Sequence, residues 1–147
     1  MDWNLGYMAR DLDHLDRFRE AIMKQLMGEG LPQVDQDHFQ QMCNDKEATS
    51  AFIEAVRESL QESARGMAWE ARLFGSDWDF SLTEVDASRL VVWHGVLDAN
   101  VPIGMADKAV EIMKPAIYNR LEEEGHASLG FGRKEDVLAS LLVQMQK

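Results

Sequence analysis

The sequence has one cysteine, few cations and no long apolar run, and each shortage excludes something. Cys43 stands alone in 147 residues, so no disulfide can close within the chain. A reducing, cytoplasmic setting is the expectation, with Cys43 a small, partly buried side chain. Lys and Arg number 15 against 26 Asp and Glu, a net charge of −11. Phosphate binding needs concentrated positive charge, so nucleic acid is excluded as a partner, and so is an anionic membrane surface. No apolar stretch approaches the roughly 18 residues of a membrane span. Met1-Asp2-Trp3-Asn4-Leu5-Gly6 lacks the basic-then-apolar pattern of a signal peptide. His-x-x-x-His and Cys-x-x-Cys spacings are missing, which argues against a metal site built from His14, His38 and the nearby Asp residues. No cofactor motif, internal repeat or low-complexity segment occurs.

What is present is one domain's worth of chain, 46% hydrophobic and 28% charged. Charge is uneven along it. Residues 1–86 carry 18 acids and 8 Lys/Arg, whereas residues 87–147 carry 8 and 7.

The acidic front has helical spacing. Leu12, Leu15, Phe18, Ile22 and Leu26 form one stripe. Asp11, Asp13 and Asp16 suit its N-terminus, and Gly28, Gly30 and Pro32 stop it. A short helix is expected over 35–43. The next places Phe52, Val56 and Leu60 on one face with Ile53 beside them, and another, over 62–74, sets Trp69 and Leu73 four apart. Gly75-Ser76-Asp77 closes the helical region. Met8, Tyr7 and Trp3 are expected to pack, and His14 and His38 to be solvated.

Near residue 86 the pattern changes. Arg89–Trp93 is short, continuous and β-prone, as in a parallel strand covered on both faces. A helix over 102–113 follows, with Pro102 in its first turn and Met105, Ala109 and Ile112/Met113 on its apolar face. A second strand is expected over 116–120. A helix over 135–145 then turns Val137, Leu138, Leu141, Leu142 and Met145 inward. This is a βαβα unit with parallel strands. Glu122-Glu123-Glu124 is expected to be a solvated run.

Sites in parallel sheets form at the carboxyl ends of strands. Asp98 follows the first expected strand and His126 the second, so adjacent strands would bring both loops to one edge. A carboxylate there fixes the imidazole tautomer, and the imidazole moves a proton on and off a hydroxyl. His94, before Gly95, is expected to be structural.

Trp93-His94-Gly95-x-x-Asp98-x-x-Val101-Pro102, followed by Gly125-His126-x-Ser128, resembles the C-terminal part of a capped, peptidase- or esterase-like α/β-hydrolase. The resemblance covers residues 76–142 well. The helical front, with Trp78-Asp79-Phe80-Ser81-Leu82, resembles the cap more loosely. The resemblance implies an α/β fold: a helical cap over 1–86, then the last βαβα piece of the parallel sheet over 87–147. It also implies Asp98 as triad acid, His126 as triad base, an acyl substrate, no cofactor and the order Ser, Asp, His.

The nucleophile elbow Gly-x-Ser-x-Gly is absent, and Ser63, Ser76, Ser81 and Ser128 stand in no such turn. The chain opens within the expected cap, so the serine and its oxyanion donors are expected upstream or on a complementing chain. Such a piece would be inactive alone. The alternative is a non-catalytic interaction module of the same ancestry, working through the acidic front. Two parallel strands do not make a stable sheet, so marginal stability or self-association is expected.

Overall fold

The computed structural model describes residues 8–10, 15–28, 30–61 and 65–145. It is a mixed α/β structure, mostly helical, with one small parallel sheet. Its elements are α1 (Leu15–Leu26), α2 (Gln33–Asn44), α3 (Lys46–Gln61), α4 (Arg65–Phe74), a 3-10 turn (Leu82–Glu84), β1 (Val91–Gly95), α5 (Ile103–Met113), β2 (Ile117–Leu121), a π-helical turn (Ser128–Gly132) and α6 (Lys134–Met145). Leu12, His14, Ser63, Trp3, Tyr7, Asp11 and Asp13 lie outside the described residues. Two compact units are distinguished: Met1–Gly28 with Gln40–Asp79, and Glu29–Phe39 with Phe80–Lys147. The first turns of α2 thus group with the sheet, although they lie in the acidic front of the sequence.

The helical unit is built on its apolar stripes. Phe18 and Ile22 of α1 are buried with Ala9 and Leu60, and Met8, Leu26, Phe52, Ile53 and Val56 pack around them. Asp45 caps α3, its Oδ1 accepting from the N–H groups of Glu47 and Ala48 at 2.9 and 3.1 Å. Thr49 is buried and satisfied by the carbonyls of Met42 and Asp45. On α4, Trp69, Leu73 and Phe74 are exposed, so that apolar spacing covers no core. The Arg72 guanidinium lies 5.6 Å from the Trp69 ring centroid, within cation–π range.

In the sheet unit β1 and β2 pair in parallel, Val91 opposite Ile117 through Gly95 opposite Leu121. Each strand is shifted slightly toward the C-terminus relative to expectation, which puts His94 and Gly95 inside β1. The 3-10 turn opens with a capping box, the Ser81 hydroxyl accepting from Thr83 N–H and the Glu84 carboxylate from Ser81 N–H. Pro102 is the N-cap of α5 rather than part of it.

Two helices present faces different from those their spacing suggested. In α5, Met105 and Ile112 are exposed, whereas Ile103, Ala106, Ala109, Val110 and Met113 are half-buried. In α6, Leu138, Leu141, Leu142, Val143 and Met145 are exposed, and Val137, Ser140 and Gln144 turn inward. Both helices are apolar on more than one side, so periodicity alone does not select the side that meets the strands. Among the described residues no helix is long and apolar enough to cross a membrane.

Candidate functional site

β1 ends at Gly95, where the chain must pass against the loop after β2. A Cβ there would collide with the Glu124 carbonyl oxygen, so only glycine fits. Beyond it, Val96 N–H donates to Leu121 O at 2.8 Å and Leu97 N–H to Glu124 O at 2.9 Å. These bonds extend the pairing past the strands and bring the Asp98 and His126 loops side by side.

Asp98 is buried and fully engaged. Its Oδ1 accepts from Asn100 and Val101 N–H, both at 2.8 Å, and its Oδ2 lies 2.9 Å from His126 Nδ1. Burial pushes its pKa up, but the bonds from Val101 N–H, the His126 ring and Asn100 N–H outweigh burial and hold the carboxyl below its ordinary value. An ionised carboxylate only accepts, so it is Nδ1–H of His126 that donates to Asp98. The His126 side chain is 52% exposed, and among the described residues no side chain bonds Nε2.

His94 closes the same loop from the strand side. Its Nε2 donates to Val101 O at 2.9 Å and stands 3.9 Å from Asp98 Oδ2. A carbonyl only accepts, so this ring also has a fixed tautomer.

The largest contribution missed in the sequence is Asp35, in the first turn of α2. It is 1% exposed. Its Oδ2 accepts from His126 N–H at 3.0 Å, and its Oδ1 from Ala127 and Ser128 N–H at 3.0 and 2.9 Å. Ser128 Oγ accepts from Gly125 N–H at 2.8 Å. The loop thus finds a side-chain acceptor for four consecutive amides. Such first-turn N–H groups otherwise need water or a cap. No local signal in the sequence links Asp35 to a loop 91 residues away.

Two expectations about neighbouring residues are overturned. Glu124 is not solvated: its carboxylate meets Arg133 Nε at 2.6 Å and its side chain is 12% exposed. His38 is not solvated either. It is half-buried and stacked on Phe131, ring centroids 5.8 Å apart.

The hydroxyls of Ser76, Ser81 and Ser128 are bonded locally. Ser76 Oγ donates to Leu73 O at 3.2 Å, Ser81 Oγ bonds Thr83, and Ser128 Oγ is held by Gly125 N–H. Among the described residues no group of three or more His, Cys, Asp or Glu is arranged to hold a metal ion. The site is therefore an oriented Asp–His pair whose imidazole is half-exposed. Comparisons with protein-family models, with curated proteins and with solved structures find no match for this chain.

Proposed function

We propose that Asp98 and His126 are the acid and base of an α/β-hydrolase-type Ser-His-Asp site that cleaves an ester or amide acyl bond. The observation that carries this is the buried Asp98 carboxylate bonded to Nδ1 of a half-exposed His126, each on the loop following one of two adjacent parallel strands. In this assignment residues 1–86 are a cap and 87–147 the last βαβα of the parallel sheet. The lone Cys43 fits a cytoplasmic setting.

His126 Nε2 takes the proton of a serine hydroxyl as its oxygen attacks the acyl carbon. Asp98 holds the resulting imidazolium in place and stabilises its charge. The imidazolium then gives that proton to the leaving group, and a water repeats the cycle on the acyl-enzyme. Serine and oxyanion donors come from a segment outside these residues, either upstream in the same protein or on a complementing chain. Each oxyanion donor is worth about 10²–10³ in rate, which is why the pair alone does little.

The test begins with the transcript 5′ of the Met1 codon. An in-frame Gly-x-Ser-x-Gly is expected, and the protein containing it should hydrolyse p-nitrophenyl esters. His126→Ala should then lower kcat by about 10⁴-fold or more. No such motif upstream and no complementing chain, or esterase activity indifferent to His126→Ala, would sink the proposal. The remaining possibility would then be an interaction module, which the exposed Trp69, Leu73, Phe74 and Trp78 of the helical unit favour. Its partner binding would be insensitive to His126→Ala.

A further inference from the structure

We infer that Asp35 is a positioning residue for His126, acting through the backbone of its loop rather than through its ring. His126 is held at two points. Its ring is bonded to Asp98 through Nδ1, and its backbone N–H is bonded to Asp35 Oδ2 at 3.0 Å. The next two amides share Oδ1 of the same carboxylate. One point of attachment leaves a side chain free to swing, whereas two on opposite sides of Cα fix both where the residue sits and where its ring reaches.

The packing allows little alternative. Asp35 is almost wholly buried, and a Cβ on Gly125 would stand 2.5 Å from both its carboxylate oxygens. Glycine at 125 is therefore what lets the carboxylate approach. The three amides lie at the start of a helical turn, where aligned N–H dipoles favour a negative charge. On the far side of the loop Glu124 is tied to Arg133. Catalytic side chains need placement within about 0.5 Å, so a base on a loop depends on an anchor of this kind. The catalytic meaning of this role rests on His126 being the base, but the anchoring itself does not.

Asp35→Asn is the informative variant because it separates the two oxygens. The amide oxygen can keep Ala127 and Ser128 N–H, which leaves the amide NH₂ facing the His126 N–H, donor against donor. Hydrogen exchange at the His126 amide should then speed up by about tenfold or more while Ala127 and Ser128 stay protected. The low-field Nδ1 proton resonance of His126, the signature of its bond to Asp98, should broaden or vanish, with the β1–β2 amides unchanged. A folded Asp35→Asn chain with wild-type exchange at His126 and an intact Nδ1 resonance would overturn the inference.

If that variant does not fold, the wild-type chain still decides the matter. Couplings across the hydrogen bonds should connect the amide nitrogens of His126, Ala127 and Ser128 to Asp35 Cγ, and their absence would overturn it. None of these measurements needs a substrate, so failure of the anchor and failure of the hydrolase assignment are separate results.

Discussion

A Cβ placed on Gly125 would lie 2.5 Å from both carboxylate oxygens of Asp35, whereas one placed on Gly130 meets nothing within 4 Å. The two glycines lie in neighbouring turns of one loop, yet only the first is obligatory. Gly125→Ala should therefore destabilise the chain by about 1–3 kcal/mol, the usual cost of overfilling a packed site. Gly130→Ala should be near neutral. Urea unfolding of the two variants beside the parent checks this, and equal midpoints for both would contradict it.

Asp98 gives the chain an acid dependence of definite sign. Its carboxyl is held below the ordinary value of 3.8 in the folded state, against burial, by the Val101 and Asn100 amides and His126. The folded state therefore binds fewer protons than the unfolded state in the acid range. The stability contributed by Asp98 is present above 3.8 and is lost as pH falls through the lower folded value. The stability difference between the parent and Asp98→Asn should shrink on acidification across that window. Paired denaturation curves between neutral pH and strong acid measure it. A difference that grows on acidification would reverse the assignment.

Tyr118 gives the opposite behaviour at alkaline pH. Burial, together with its hydroxyl's 2.7 Å bond to Asp107, pushes the phenol from 10.0 up to about 12. Its contribution is present below 10.0 and is lost as pH rises toward about 12. Tyrosinate absorbance, corrected with Tyr118→Phe, should show this ring titrating near the higher value in the folded chain and near 10.0 in denaturant. Asp107→Asn should lower the folded value by removing the negative charge beside the phenol. A folded-state titration at the ordinary value would show that Asp107 does not hold the hydroxyl.

Local features were legible because they depend on near neighbours. The three-and-four spacing of Leu15, Phe18, Ile22 and Leu26 marks α1, and the β-prone run through Val91-Val92-Trp93 marks β1. Asp98 and His126 are legible for a related reason: each follows one of two strands, and parallel neighbours deliver both loops to one sheet edge. Spacing marks Ala109 and Met113 of α5 and Val137 of α6, which are half-buried, but also Met105, Ile112, Leu138, Leu141, Leu142 and Met145, which are exposed. Both carry more apolar positions than one face can hold, and what a helix buries is set by its partner.

The sequence by itself determined the order of helices and strands, the excess of negative charge and the identity of the two residues whose side chains meet at 2.9 Å. Helical and strand periodicities repeat over a few residues, and the chain encodes them directly. Only the tertiary structure decided that Asp35 belongs to the His126 loop, that Glu124 pairs with Arg133, and that His38 stacks on Phe131. A carboxylate in the first turn of a helix looks like any other N-terminal acid. It becomes an anchor only where folding brings three unsatisfied amides and a glycine within its reach.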